Sequence, residues 1–430
     1  MRILIIAYHF PPSLSVAALR LESFAQSLSS AGHDVTVLTL ADNTSSADEK
    51  RSVNGNEYRV VRIQNPLLNM AERYFSAYKE TQTKSTSPVQ RPSLINKIVT
   101  RFNEWRKNKG IIFLGRMPDI SDVWYFTAKS WLKKQQEWDW VISSYAPYST
   151  LLLGRYMKKA GKCKRLLLDF RDPWSTHHLF SGLPFIRLLE KNLEKKCLEH
   201  ANAVTAAPPR LMKLLTDTYS TIKISGVVLN GYFPQKKDIP INVFFSGITI
   251  THLGSIYLHK HSTEPFFEAL ADFKNQKKSD LRLMFAGNEK QFLDSLAEKY
   301  KISDVWQHLG YVDFETTQKI VSSAQIGIVF DSNTNDFNGV LPVKVFDYMA
   351  QGLPILLIGD VEKSDLTTIL EDYGNFWAAK PNKASILKAL NRIQHLNYPK
   401  ISPPNRYTRR FQNEKLLKII RKPEDCKKDY

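Results

Sequence analysis

The sequence predicts an α/β protein built from two doubly wound parallel-sheet domains joined by one linker. Three observations carry this expectation. Apolar runs of strand length alternate with helical patterns along nearly the whole chain, the signature of parallel sheets covered by helices. The alternation pauses once, at the polar, proline-bounded segment Pro234-Gln235-Lys236-Lys237-Asp238-Ile239-Pro240, and then restarts. At 430 residues and 43% hydrophobic content, the chain is too long for one ordinary core and rich enough for two.

The opening residues 3–7 read as a buried strand, followed by a proline-rich loop and a helix over about 17–31. Gly32 is placed to end that helix in a left-handed conformation. A second strand over 35–40 completes a β-loop-α-β unit. Further strands are expected at 141–142, 165–169, 203–205 and 226–229. Residues 42–57 and 78–92, rich in Ser, Thr, Asn, Gln and charge, read as exposed loops. Residues 94–109 place Leu94, Ile98, Phe102 and Trp105 at helical spacing among Lys97, Arg101, Arg106, Lys107 and Lys109. Such a helix suits an anionic membrane surface, and equally a helix packed on its own domain with a solvated basic side.

After the linker, strands are expected at 248–253, 281–285, 306–309, 326–330 and 354–357. Helices are expected over about 263–273, 290–300, 316–323 and 344–351, with two more to follow. The tail, 406–421, reads as a basic amphipathic helix. The expected domains are therefore 1–235 and 240–400, with 405–421 packing back on the first.

Composition narrows the setting. No apolar run approaches the roughly 20 residues of a membrane-spanning helix, and the first eight residues are too short for a signal-peptide core. Cys163, Cys197 and Cys426 are odd in number and in no metal-ligand spacing, which predicts a reducing, cytoplasmic interior without disulfides. The net charge is +18, and Arg51 to Arg165 holds 22 Lys and Arg against 8 Asp and Glu. A basic first domain attracts nucleic acid, anionic lipid or phosphorylated substrates. No aromatic-basic recognition motif supports nucleic acid.

Ligands of open α/β sheets bind at the carboxyl ends of the strands, where helix N-termini present free N–H groups. The second half offers four such loops. Gly254 follows a strand, so a ligand can approach the backbone at Gly254 and Ser255, and Lys260 supplies a charge for phosphate. Gly287 and Asn288 end the next strand, and Gly310 to Val312 the third, suited to backbone contacts with a base. The fourth loop, Gly339-Val340-Leu341, opens a helix whose N-terminus suits a diphosphate. Lys344 adds charge there, and Asp347, a turn further on, has the acceptors that ribose hydroxyls need. Taken singly, Lys344 and Asp347 also fit a solvated surface pair. In the first domain, Asp169-Phe170-Arg171-Asp172-Pro173-Trp174, with His177 and His178 nearby, could position a second substrate, or Arg171 and Asp172 could pair to fix their own loop.

The run Pro342-Val343-Lys344-Val345-Phe346-Asp347-Tyr348-Met349-Ala350-Gln351-Gly352-Leu353-Pro354 resembles the donor-binding signature of glycosyltransferase family 4 (group 1) enzymes, which have the GT-B fold of two Rossmann-like domains. The likeness extends to Tyr8-His9-Phe10-Pro11-Pro12 with Arg20, Ala31 to Val35, the Asp169–Trp174 loop, Leu229 to Tyr232, Gly254 with Lys260, Phe285 to Asn288, and Leu309 to Tyr311. The resemblance implies that Lys260 binds the donor diphosphate, that the backbone near Val312 contacts the base, that Gly339 to Leu341 hold phosphates, and that Asp347 binds ribose. It implies Lys260, Arg171 and Asp172 as candidate catalytic residues. It further implies transfer with retention and no cofactor or metal, because basic side chains and helix dipoles stabilise the departing diphosphate. The chain departs from the family at Gly339, where Glu is usual, at Ser255, where Arg is usual, and at Ser13 to Ala17, where Gly-Gly is usual.

The expected function is transfer of a hexose-type sugar from a UDP- or GDP-sugar to a glycan or polyprenyl-diphosphate-linked glycan in cell-surface polysaccharide biosynthesis. The expected setting is the cytoplasm, peripheral to the inner face of the membrane. Two alternatives stay open: a sugar-nucleotide epimerase of the same fold, and a degenerate, non-catalytic binding protein.

Overall fold

The computed structural model describes residues 1–13, 15–41, 48–53, 55–65, 101–102, 105–106, 109–112, 115–176, 181–233, 247–256, 263–276, 280–331, 341–359 and 364–421. The chain divides into two compact units, Met1–Leu229 with Asn413–Tyr430, and Asn230–Gln412.

In the first unit the elements run β1 (Arg2–Ile6), α1 (Val16–Ser30), β2 (Asp34–Leu40), β3 (Asp48–Val53), β4 (Asn56–Ile63), β5 (Ile111–Ile112) and β6 (Arg116–Asp119). They continue with α2 (Ser121–Lys133), β7 (Trp138–Tyr145), α3 (Tyr148–Lys159), β8 (Cys163–Phe170), α4 (Pro184–Leu198), β9 (Ala203–Ala206), α5 (Pro209–Thr218) and β10 (Ser225–Val227). Eight strands make one sheet in the order β10-β9-β8-β7-β1-β2-β4-β3. Its pairs are parallel except β3 with β4. Helix α1 shows why the local sequence works. Ser15 Oγ accepts from the Ala18 N–H at 3.2 Å, capping one end. At the other end Gly32, at φ +81, donates to Ser29 O while His33 N–H reaches back to Leu28 O, a Schellman closure.

The polar stretch read as a loop over 42–57 contains β3 and the start of β4. Its Asp, Glu, Lys and Arg belong to an antiparallel edge strand, where charge is tolerated because one side of the ladder has no neighbour. Residues 78–92, 94–100 and the linker 234–240 lie outside the described residues. Of the amphipathic segment, residues 101, 102, 105 and 106 are helical. Cys163 and Cys197 are buried and unbridged.

The second unit runs β11 (Ile248–Leu253), α6 (Glu264–Asn275), β12 (Leu281–Ala286), α7 (Lys290–Lys299), β13 (Trp306–His308), α8 (Phe314–Ser323) and β14 (Ile326–Phe330). It continues with α9 (Lys344–Ala350), β15 (Ile355–Ile358), α10 (Asp365–Tyr373), β16 (Phe376–Ala379), α11 (Lys383–His395) and α12 (Arg409–Arg421). All six strands are parallel, in the order β13-β12-β11-β14-β15-β16. Counted from β11, that is the dinucleotide-fold order 3-2-1-4-5-6, with its switch point between β11 and β14. Strand β16, a short edge strand, is additional to the strands expected from the sequence. The last helix divides between the units. From Asn413 onward it belongs to the first, where Asn413 Nδ2 donates to Ser23 O and Ser27 Oγ, and Leu416, Ile419 and Ile420 enter the core beneath β1 and β2.

Candidate functional site

At the second unit's switch point, β11 and β14 pair at only two positions, Ile250 with Ile326 and Thr251 with Gly327. Beyond these the strands part, and Tyr348 of α9 fills the gap. Its hydroxyl accepts the Leu253 N–H at 3.1 Å, so the lost ladder bond is replaced by a side chain. The ring lies flat over Gly327, where an added Cβ would meet it at 2.5 Å. Glycine in the middle of β14 is therefore what lets α9 sit close to the sheet.

Three strand-end glycines stack beside this gap. Gly254 N–H donates to Ala286 O and Gly287 N–H to Gly310 O, both at 2.8 Å. A Cβ on Gly287, whose φ is +149, would lie 2.1 Å from Gly254 O, so the first two loops touch backbone to backbone. Asn288 clamps the same loop. Its Oδ1 accepts from Ile256 N–H at 2.7 Å and its Nδ2 donates to Ile256 O at 2.9 Å. His308 fixes the third loop by accepting the Gly310 N–H at Nδ1 and donating from Nε2 to Asn288 O. Burial holds its pKa below the usual histidine value.

Lys344, in the first turn of α9, reaches into this arrangement. A Cβ built on Gly254 would lie 3.7 Å from its Nζ, and Nζ is 3.1 Å from His252 Nε2. His252 is fully buried on β11, and its Nδ1 faces the Ile328 carbonyl at 3.0 Å. A carbonyl only accepts, so Nδ1 carries the hydrogen and Nε2 is left to accept from the lysine. Burial lowers the Lys344 pKa to about 7, which places its charge at the balance point near neutrality. His252 was not singled out in the sequence. The available signal was a histidine inside an otherwise apolar and threonine-bearing strand, Ile248–Leu253.

Asp347 points elsewhere. Burial raises its pKa to about 6, against the pull of Arg409 and a hydrogen bond from Gln318 on α8. The two residues thus hold separate neighbours: Lys344 sits with Gly254 and His252, Asp347 with α8 and Arg409. Val312 is half-buried and directly precedes Asp313, which caps α8 by accepting the Thr316 N–H. Ser255 is exposed, and Leu341 is buried ahead of Pro342. Lys260, Gly339 and Val340 lie outside the described residues, as do His177 and His178.

In the first unit, Asp169 at the end of β8 is fully buried and fully committed. Arg20 donates to both oxygens, at 2.7 and 3.0 Å, Ser144 Oγ at 2.8 Å and Thr205 Oγ1 at 2.7 Å. Burial would raise its pKa, but Arg20 and the hydroxyls hold it below the usual carboxylate value. Arg171 donates from Nε to Tyr145 O at 2.9 Å and from Nη2 to Ala146 O at 3.3 Å, and its Nη1 lies 4.0 Å from Asp172. Its principal partners are thus backbone carbonyls after β7, with Asp172 half-buried beside it.

Comparison with known proteins matches residues 246–410 to the family described as Glycosyl transferases group 1. No curated protein matches the sequence. Solved structures do match over nearly the full length. Sucrose-phosphate synthase from Thermosynechococcus elongatus aligns with TM-score 0.60 at 15% identity, covering 98% of this chain and 95% of that one. A putative UDP-N-acetylglucosamine 2-epimerase from Listeria monocytogenes aligns with TM-score 0.54 at 12% identity, covering 99% and 96%. A lipopolysaccharide outer core galactosyltransferase aligns with TM-score 0.54 at 12% identity, covering 98% and 99%. At these identities the structural matches speak for fold alone. Residues 246–410 thus match the glycosyl transferases group 1 family, and the chain that carries them has the GT-B fold of two Rossmann-like α/β units.

Proposed function

We propose that the protein is a retaining, metal-independent hexosyltransferase that takes a sugar from a UDP- or GDP-sugar. The observation that carries this reading is the meeting of Lys344 with Gly254 at the β11–β14 switch point, a cation beside an open backbone approach. An arriving diphosphate stabilises the protonated amine and draws Lys344 into its charged form, while Lys260 supplies a second cation and Gly339 to Leu341 supply backbone N–H groups. The backbone at Val312 takes the base. Asp347, as carboxylate, accepts from ribose hydroxyls. Gly254 and Ser255 line the approach, and Asn288 acts by clamping Ile256. The second unit, Asn230–Gln412, is then the donor domain, and the first unit the acceptor domain, with Arg171 and Asp172 positioning the acceptor.

The acceptor we infer is a glycan or polyprenyl-diphosphate-linked glycan of cell-surface polysaccharide biosynthesis. The basic field of residues 51–165 and the aromatic-basic segment 94–109 support a reaction at the inner face of the cytoplasmic membrane. No helix among the described residues is long and apolar enough to cross a membrane.

Isothermal titration with UDP, GDP and ADP in the presence of EDTA tests the donor site. One nucleotide should bind without metal, and Lys260→Ala and Asp347→Ala should each abolish or strongly weaken that binding. Binding that requires added metal, or that both variants retain, overturns the site. The likeness to an epimerase fold supports a second reading, distinguished by incubating UDP-N-acetylglucosamine alone and looking for its C2 epimer.

A further inference from the structure

Helix α4 buries two carboxylates and exposes three large apolar side chains. A surface helix ordinarily buries its apolar stripe and exposes its charges. Here the buried face carries Glu190 and Glu194 beside Cys197 and Leu198, and the exposed face carries Phe185, Leu188 and Leu189 among its basic residues. The two glutamates are held by the fold. Glu190 accepts from Arg116 Nε at 3.0 Å and from the Met117 N–H at 2.9 Å, and Glu194 from Tyr219 and Ser175. That network fixes the rotation of the helix, so the outward apolar residues are a consequence of a satisfied interior. Phe185 is 94% and Leu188 77% exposed.

The charges around those residues have one sign. Arg187, Lys191, Lys195 and Lys196 are all exposed, and the first exposed acid after them is Glu199, beyond the helix end. A second aromatic-basic piece adjoins. Phe102 and Trp105 are exposed, and the sequence beside them carries Arg101, Arg106, Lys107 and Lys109 against one acid, Glu104. The end of that piece is tied to the start of α4, because Lys109 Nζ donates to Ser181 Oγ at 3.0 Å and Gly182 N–H donates to Lys109 O at 3.2 Å. On its other side α4 borders a groove of about 730 Å³, which Leu193 lines with Phe126, Leu152 and Tyr156, and which Arg155 and Lys159 share with one acid, Asp122.

We propose that the outward face of α4, with the adjoining Arg101, Phe102, Trp105 and Arg106, docks the first unit on a bilayer rich in anionic lipid. The aromatic and leucine side chains enter the interfacial layer, and the arginines and lysines stay at the level of the head groups. Cationic charge around exposed apolar residues fits that occupant better than a second copy of the same basic surface, which would repel itself. The docking deepens the membrane-side reading given above and adds the element that makes the contact.

Co-sedimentation of the full chain with vesicles tests this directly. The protein should pellet with vesicles containing phosphatidylglycerol, less so as salt is raised, and little with phosphatidylcholine alone. Phe185→Ser combined with Leu188→Ser should lower partitioning by about tenfold or more. Arg187→Glu with Lys191→Glu should do the same. Phe292→Ser, at an exposed aromatic of the second unit, should change nothing. Wild-type protein that stays in the supernatant overturns the proposal, as does unchanged binding by either double variant. A concentration-dependent dimer lost with Phe185 and Leu188 would assign the face to a second copy instead. Nucleotide binding is titrated on the same samples, so a failure of the donor site is seen separately from a failure to dock.

Discussion

Asp169 in the first unit and Lys344 in the second are both charge-bearing residues at the carboxyl end of a parallel sheet, and the fold treats them in opposite ways. Asp169 receives four hydrogen bonds and an opposite charge, and its pKa is held low. Lys344 receives a histidine nitrogen, and burial pushes its pKa down to about 7. A group whose charged form is fully satisfied by its own protein has little left for a ligand. A group held near the point of losing its charge gains most when an anion arrives. The contrast separates a buttress from the residue proposed to bind the donor, although both lie where α/β sheets bind ligands.

Breaking the buttress gives the largest effect. Arg20→Ala leaves Asp169 buried without its counter-charge and should cost about 3–5 kcal/mol in urea unfolding. A loss below about 1 kcal/mol would mean that Asp169 is not the committed group described here. Lys344→Met should behave in the opposite sense. Thermal stability should hold, since a desolvated amine is removed, while affinity for the donor nucleotide should drop by about tenfold to a hundredfold. A variant that unfolds at lower temperature yet binds nucleotide normally would reverse the assignment.

The pH dependence of nucleotide binding sharpens the same point. In the proposed donor site Lys344 binds an anion as the ammonium, so affinity should fall as pH rises above about 7. In the same proposal Asp347 serves ribose as the carboxylate, so affinity should also fall as pH drops below about 6. Titrations across this range should show a maximum between those values, and Lys344→Met should flatten the alkaline side alone. The smallest effect is expected at Asn288. Asn288→Ala frees the Ile256 backbone and should weaken nucleotide binding by about fivefold, with the pH maximum unmoved.

The second unit was legible in the sequence to a fine grain. Strands β11 and β14 begin and end where the apolar runs do, because a strand buried on both faces admits little else. The first unit was less so. Strand β3 was hidden by its charges, which belong at a sheet edge and read like a loop. The partnership of His252 with Lys344 spans 92 positions and depends on β11 and β14 parting after two paired residues, a fact of topology that no local pattern carries. The burial of Glu190 and Glu194 in α4 was equally hidden, since spacing alone does not say which stripe turns inward until Arg116 and Tyr219 are in place.

The division of α12 has a bearing on how the chain is made. Leu416, Ile419 and Ile420 complete the packing under β1 and β2, and Gly226 leaves room for Ile419, where a Cβ would lie 2.7 Å away. The first half of the protein therefore leaves the ribosome with part of its core unsealed, and the missing piece follows only after the entire second unit has been translated. At about 5–20 residues per second that interval is on the order of ten to forty seconds. Over that time the apolar underside of β1 and β2 stays uncovered, and a stop codon near residue 412 would damage the region translated first while sparing the one translated last.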